Sequence, residues 1–216
     1  MNSHQLHPPR YIVVEGTIGV GKTSLARRLS ESFRAGLVLE QAEENPFLER
    51  FYRNPRQGAL PAQLFFLFQR ARQLESLHQQ DLFAATHVSD YLFDKDRLFA
   101  GINLDADELA LYEQVYARLA LDVPKPDLVI YLQAPTDVLL ERIARRGIRY
   151  EQQIERAYLE RLNAAYASFF HDYRAAPLLI VNSAQADFVN REQDYQQLLS
   201  ELARVRTGRQ YFNPAY

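Results

Sequence analysis

Glycine, lysine and hydroxyl residues at positions 16–23 have the types and spacing of a phosphate-binding loop. The segment reads GTIGVGKT and lies between an apolar run and a helical pattern, which is the context that this motif requires. Glycines let backbone N–H groups surround an anion, a lysine reaches the outer phosphates, and a threonine hydroxyl can ligate Mg²⁺. A glycine-rich turn with a chance lysine is the structural alternative. We predict that a nucleoside triphosphate binds through Gly16, Thr17, Ile18, Gly19, Val20, Gly21, Lys22, Thr23 and Ser24.

Two carboxylates follow the next two predicted strands. Glu40 ends the stretch 36–40, and Asp90 lies near the end of the stretch 86–91. Because the carboxyl ends of parallel strands meet at one edge of a sheet, both are expected near the loop. Glu40 is placed to accept a proton from an attacking hydroxyl, and Asp90 to hold Mg²⁺ beside Thr23. A solvated glutamate and a turn-capping aspartate are the structural alternatives.

Two pairs of polar residues on predicted helices can contact the rest of such ligands. Gln63 and Arg70 share one face of an otherwise aromatic helix, where an amide and a guanidinium can read the edge of a base. Taken alone, this pair fits a plain polar stripe better. Arg142 and Arg146 share a helix face just before Gly147. We interpret them as part of a lid that covers phosphates; a solvated helix end is the less favoured alternative.

The elements that must position these residues alternate between short apolar strands and helices. This pattern predicts an α/β fold, a three-layer sandwich in which a five-stranded parallel sheet is flanked by helices. The predicted strands cover 11–15, 36–40, 86–91, 127–133 and 177–182. Helices are predicted over 24–33, 46–52, 60–78, 94–101, 105–121, 136–146, 152–173 and 193–206, with a loop at 54–58. We expect one domain over 1–216, with a flexible lead-in at 1–9 and a tail from Tyr211 that docks or frays.

Composition excludes several classes of function. Hydrophobic residues make up 47% and charged residues 24% of the chain, as in globular proteins. The net charge of −2 argues against a nucleic-acid partner, and the absence of cysteine excludes disulfides. No apolar run approaches the roughly 20 residues that span a membrane, and positions 1–10 lack an apolar signal core. A cytoplasmic protein without a membrane partner is predicted.

Together these motifs resemble the deoxyribonucleoside kinase family, and its bacterial purine-preferring branch in particular, from about Tyr11 to Leu202. The resemblance implies a P-loop kinase fold, Mg²⁺-ATP as the phosphate donor, and Glu40 as the base for the nucleoside 5′-hydroxyl. It implies that Lys22, Arg142 and Arg146 are catalytic, the two arginines belonging to an arginine-rich lid at 142–151. The resemblance also implies that Tyr52 and Glu151 contact the sugar 3′-hydroxyl. It implies that Gln63 and Arg70 contact the base and that Phe99 stacks on it. Arg142 and Arg146 are implied to contact ATP from the lid.

The chain departs from this family in two places. The family has an acidic residue and then an arginine after the third strand, whereas this chain has Asp90-Tyr91. Arg97 is the proposed replacement for that arginine. Ile148 stands in the lid where an arginine is common. The aspartate that partners the base-reading arginine is assigned first to Asp94.

We therefore expect transfer of the γ-phosphate of ATP to the 5′-hydroxyl of a purine deoxyribonucleoside. A nucleoside monophosphate kinase of the thymidylate type, or a nucleotide-binding regulatory module with weakened catalysis, are the alternatives. The apolar helices at 60–77 and 105–121 carry more apolar surface than one sheet face needs. Together with the resemblance, they predict a homodimer.

Overall fold

A central parallel sheet organises the computed structural model, which describes residues 9–80, 86–119, 122–205 and 207–214. Within these ranges six strands pair in the order β2-β3-β1-β4-β5-β6, and every pairing is parallel. The strands are β1 (Tyr11–Gly16), β2 (Gly36–Val38), β3 (His87–Ser89), β4 (Leu128–Gln133), β5 (Leu178–Asn182) and β6 (Arg209–Phe212). The helices are α1 (Lys22–Phe33), α2 (Leu48–Arg53), α3 (Pro55–Gln80), α4 (Lys95–Asn103), α5 (Ala106–Leu119), α6 (Thr136–Arg146), α7 (Arg156–Asp172) and α8 (Glu192–Leu202).

Both faces of the sheet are covered because successive side chains of each central strand enter different cores. In β1, Ile12 and Val14 pack into a core with α1, α6 and α8, while Val13 packs into a second core with the C-terminal half of α7. In β4, Ile130 and Tyr131 divide between the same two cores. A third core is mostly helical and joins α2, α3, α4 and α5. The predicted parallel sheet with helices on both faces is confirmed.

Strand order places the phosphate-binding loop at a crevice. The strand β1 lies between β3 and β4, so the chain leaves β1 toward one side of the sheet and later returns to the other side. In such sheets ligands bind beyond the carboxyl ends of the strands at this point of reversal. The loop at 16–21 follows β1, and Asp90 follows β3 directly. Glu40 lies two residues beyond β2, which ends at Val38 and not at Glu40 as predicted.

The predicted number of strands is wrong because the chain has a sixth strand near its C-terminus. The strand β6 pairs in parallel with β5, with Ile180 opposite Tyr211. Its sequence, RQYF, has no long apolar run, and Tyr211 is 68% exposed. Pairing with β5, which local sequence does not encode, makes this segment a strand. Three predicted features lie partly outside the described residues: positions 1–8 of the lead-in, the end of α5 at Leu121, and the last two residues of the tail.

The predicted loop at 54–58 is also wrong, because α3 already begins at Pro55. Proline is favoured in the first turn of a helix, and the backbone N–H of Gly58 donates to the carbonyl of Asn54 at 3.1 Å. Gly58 also lets α2 and α3 approach closely, since a Cβ at this position would lie 2.4 Å from the Phe51 backbone. None of the described helices combines the length and the apolar character needed to cross a membrane.

Gly58→Ala is therefore expected to destabilise the protein, although alanine is normally the better helix former. The methyl group meets backbone atoms that cannot rotate away, and overpacking of this kind costs about 2 kcal/mol. Gly101→Ala in α4 is the matched control, because a Cβ at this position would meet nothing within 4 Å. This variant should be more stable to unfolding by about 0.5–1 kcal/mol. Urea denaturation followed by circular dichroism measures both, and a Gly58→Ala variant as stable as Gly101→Ala contradicts the packing.

Candidate active site

Two cavities meet at the phosphate-binding loop. The first has a volume of about 730 Å³ and the second about 640 Å³, which are sizes typical of small-molecule sites. Gly19, Lys22, Thr23 and Arg146 line both cavities. The loop therefore separates two neighbouring spaces, as transfer of a group from one ligand to another requires.

Glycine conformations shape the loop. Gly16 has φ of +147°, and a Cβ there would lie 2.4 Å from the carbonyl oxygen of Leu132, so this position requires glycine. The Thr17 hydroxyl donates to Asn163 on α7 at 2.6 Å, which ties the loop to a helix. The Lys22 ammonium donates to the carbonyls of Gly16 at 2.8 Å and Thr17 at 3.2 Å. Burial, and then the charge of the nearby Lys95, lower the pKa of Lys22.

Glu15, a buried glutamate that the sequence analysis did not identify, anchors the start of the loop. Glu15 is fully buried, and it accepts hydrogen bonds from the backbone N–H groups of Gly16 at 2.8 Å and Leu92 at 2.7 Å. It also accepts from the Tyr166 hydroxyl at 2.9 Å. One carboxylate thereby links the phosphate loop to the segment after β3. Its signal in the sequence is a charged residue that continues a buried strand.

Thr23 and Asp90 supply oxygen atoms suited to Mg²⁺. The Thr23 hydroxyl donates to Asp90 Oδ2 at 2.5 Å, and Asp90 Oδ1 accepts from the Glu40 backbone N–H at 2.7 Å. Burial raises the pKa of Asp90, and a bound cation would favour its ionised form. Among the described residues no group of three or more histidine, cysteine or acidic side chains could hold a metal. This donor set fits Mg²⁺, which takes one or two protein oxygens and completes its shell with phosphates and water.

Glu40 is held between two cations. Its Oε1 accepts from Arg70, and its Oε2 accepts from the Lys95 ammonium at 2.8 Å. Burial alone would favour the neutral acid, but Lys95 and Arg70 outweigh it and hold the pKa of Glu40 well below its usual value. Glu40 is therefore an ionised carboxylate that lines the first cavity.

Lys95 was not predicted, and Arg97 does not replace the missing arginine. Arg97 is 57% exposed in its side chain and forms an ion pair with Glu113 at 3.0 Å, away from Glu40. Tyr91 is 2% exposed, and its hydroxyl donates to Gln73 at 2.7 Å. No local sequence signal marks Lys95, because its burial depends on the contact with Glu40 from another segment.

The aspartate that partners Arg70 is Asp96, so the assignment to Asp94 is wrong. Asp94 is exposed and lies outside the first cavity, whereas Asp96 is fully buried. Asp96 Oδ2 accepts from Arg70, and Oδ1 accepts from Gln63 at 2.6 Å and from the Tyr112 hydroxyl at 2.8 Å. Asp96 lies on the buried face of α4 with Ala100, one turn further along the helix.

Gln63 presents an acceptor to the first cavity. Its Nε2 donates both to the carbonyl oxygen of Asp96 at 2.8 Å and to the Asp96 carboxylate at 2.6 Å. Because both partners are acceptors, the amide nitrogen must face them, and Oε1 is the polar atom left for a ligand. Gln63 and Phe99 both line the cavity, so the cavity offers a hydrogen-bond acceptor and an aromatic ring to a flat ligand.

In the same cavity, the predicted sugar contacts Tyr52 and Glu151 lie with the predicted lid residue Arg146. Tyr52 stacks on Tyr150 with ring centroids 6.0 Å apart. Burial, and then nearby Tyr158 and Glu151, raise the pKa of Tyr52, so its hydroxyl is protonated. Glu151 is 8% exposed and accepts from Arg146 at 2.5 Å.

The two predicted lid arginines occupy different positions. Arg142 lines the second cavity, and it donates to the carbonyls of Val20 at 3.2 Å and Ser183 at 2.7 Å. Arg146 lines both cavities. The structure thus brings together in the first cavity all predicted substrate contacts except Asp94, namely Glu40, Tyr52, Gln63, Arg70, Asp90, Phe99 and Glu151.

Comparisons with known proteins identify the family of this chain. Residues 12–205 match the family model described as deoxynucleoside kinase. The deoxyguanosine kinase of Bacillus subtilis is 34% identical over 197 residues, which cover 89% of this chain and 95% of that protein. The deoxyadenosine/deoxycytidine kinase of the same organism is 26% identical over 213 residues, which cover 95% of this chain and 97% of that protein.

The fold is also that of a solved structure. Deoxyadenosine kinase from M. mycoides with bound dATP superposes with a TM-score of 0.76 at 25% identity, covering 89% of this chain and 98% of that one. The phosphate-binding loop and the two cavities therefore lie in a fold that this chain shares with that kinase. This chain belongs to the deoxynucleoside kinase family.

Proposed function

We propose that this kinase transfers the γ-phosphate of ATP to the 5′-hydroxyl of a purine deoxyribonucleoside. The observation that carries the proposal is the order of groups along the first cavity. Thr23 of the phosphate loop donates to Asp90, which accepts from the backbone of the ionised Glu40. Arg70 and Asp96 connect Glu40 in turn to Gln63, and Lys22, Thr23, Glu40 and Gln63 all line the cavity. This order suits a phosphate, a reacting hydroxyl and a base in sequence.

In the proposed reaction a new bond forms between the 5′-oxygen and the γ-phosphorus. The bond from the γ-phosphorus to the β,γ-bridging oxygen breaks, ADP leaves, and Glu40 accepts the 5′-hydroxyl proton. A carboxylate with a lowered pKa is a weak base. It is sufficient for this step because phosphoryl transfer passes through a loose transition state with little bonding to the attacking oxygen, which therefore needs little activation. Lys22 and Arg146, which both line the first cavity, and Arg142 of the second cavity would stabilise the charge on the phosphates.

Thr23 and Asp90 would hold Mg²⁺ beside the loop. When bound, this ion neutralises phosphate charge and orients the β- and γ-phosphates. The adjacent hydroxyl and carboxylate, 2.5 Å apart, support this assignment.

The sugar and base positions follow from the same cavity. Tyr52 and Glu151 would bind the 3′-hydroxyl, and Gln63, Arg70 and Phe99 would bind the base. A free Oε1 on Gln63 suits a base that offers an N–H group, as both adenine and guanine do. Relatives named deoxyguanosine kinase and deoxyadenosine kinase support a purine substrate.

Three further predictions about the whole protein stand with this proposal. We propose that 1–216 acts as one kinase domain, that the protein is cytoplasmic, and that it is a homodimer. Phe68 on α3 and Leu111 on α5 are each 47% exposed, so both helices retain apolar surface that a second copy could cover.

A panel of acceptors tests the function directly. With Mg²⁺-ATP, ADP release is expected with deoxyguanosine or deoxyadenosine at a kcat/KM at least tenfold above that for thymidine, and each product should be the 5′-monophosphate by ³¹P NMR. Faster reaction with a nucleoside monophosphate than with its nucleoside would favour the thymidylate-kinase alternative. No ADP release with any acceptor would favour a regulatory module.

Glu40→Gln tests the proton acceptor. Loss of a general base lowers the rate by about 10²–10⁴-fold, so kcat should fall by this factor while nucleoside binding, measured by calorimetry, changes much less. Glu44→Gln is the matched control, because Glu44 is exposed and its amide replacement can still accept from Gln69. Undiminished turnover in Glu40→Gln would remove Glu40 from its proposed role.

A further inference from the structure

Lys95 occupies a position that is locally unfavourable for a cation. It is the first residue of α4 and is only 4% exposed. The N-terminus of a helix carries a partial positive charge that favours acidic side chains and disfavours lysine. Burial of an ammonium costs further free energy unless it is paired. A residue that breaks local preference in this way calls for a compensating role.

The hydrogen bonds of Lys95 leave part of its donor capacity unused. Within the described residues, its ammonium makes one hydrogen bond, to Glu40 Oε2 at 2.8 Å. A lysine ammonium carries three N–H donors. Lys95 lines the first cavity, and its ammonium lies 5.7 Å from the ring centre of Phe99. Donors are therefore available on the cavity side of a buried cation.

The Lys95 ammonium shares the first cavity with the proposed acceptor base Glu40 and with Lys22 of the phosphate loop. Lys95 is hydrogen-bonded to Glu40, and its charge acts on Lys22 of the loop and on Asp90 beside Thr23. Two ammonium groups that face one cavity repel each other, and an anion between them relieves that repulsion. The transferring phosphoryl group is an anion that passes through this region in the proposed reaction.

Neighbouring side chains do not serve the same purpose. Arg97 is paired with Glu113 on the outside of the protein, and the hydroxyl of the buried Tyr91 is bound to Gln73. Arg70 is held by Asp96 and Glu40. Of the cations in α4, Lys95 is the one that lines the first cavity.

We propose that Lys95 is a catalytic residue whose ammonium donates a hydrogen bond to an oxygen of the γ-phosphoryl group during transfer. This inference rests on the proposed function. The 5′-oxygen–phosphorus bond forms, the bond to the bridging oxygen of ADP breaks, and the hydroxyl proton goes to Glu40. Lys95 remains protonated throughout and stabilises the charge on the migrating group.

Replacement of Lys95 tests the role. Lys95→Met and Lys95→Gln should each lower kcat by about a hundredfold, while the KM for the deoxynucleoside changes less than tenfold. Lys95→Arg should recover at least tenfold of the loss, because a cation is restored. Arg97→Met is the matched control on the same helix and should keep wild-type kinetics. Circular dichroism checks the fold, and two neutral variants are used so that failure of one to fold leaves the other.

A double variant separates contact with the phosphoryl group from support of Glu40. In single-turnover reactions with radiolabelled ATP, adding Lys95→Met to Glu40→Gln should lower the rate by a further tenfold or more. No further loss would mean that Lys95 acts only through Glu40 and would overturn the proposal. Wild-type kcat in both folded neutral variants would also overturn it. An inactive wild type would overturn the proposed function and this inference together, whereas an active wild type with active variants would overturn the inference alone.

Discussion

The Glu40 carboxylate between Arg70 and Lys95 is the interaction on which the site depends. It joins the segment after β2 to α3 and α4, and Asp96 extends it to Gln63 and Tyr112. Buried ions are stable only when each charge has its partner, and removing one strands the others. The groups proposed to contact the hydroxyl and the base are therefore positioned by one charge network rather than independently.

This network is consistent with the proposed role of Glu40 as the proton acceptor in phosphoryl transfer. Two cations keep Glu40 ionised despite its burial, so it is always ready to accept a proton but is a weak base. A loose transition state tolerates a weak base, and positioning with electrostatic stabilisation supplies most of the rate. The phosphate-binding loop is also held in position, because Gly16 donates a hydrogen bond to Glu15 and Thr17 donates one to Asn163.

Much of the fold could be predicted because apolar strands and the phosphate loop are encoded locally. The strand β6 could not be, since only pairing with β5 makes its polar sequence extended. The exchange of Asp94 for Asp96 is an error of helical phase: the first occupies the N-cap position of α4 without a side-chain capping bond, and the second lies on the buried face of α4 with Ala100. Lys95 was missed because a lysine at a helix start normally faces solvent, and its burial depends on Glu40 from another segment.

The most direct test of the account is the ionisation of Glu40 in the free protein. ¹³C NMR of glutamate-labelled protein, with the Glu40 carboxyl signal assigned by its loss in Glu40→Gln, measures this across pH. Because the neighbouring cations lower the pKa of Glu40, the signal should keep its ionised chemical shift from about pH 8 down to about pH 4.5. A titration midpoint at or above about pH 4.3, the ordinary value for glutamate, would show that Arg70 and Lys95 do not lower the pKa of Glu40, and would contradict the account.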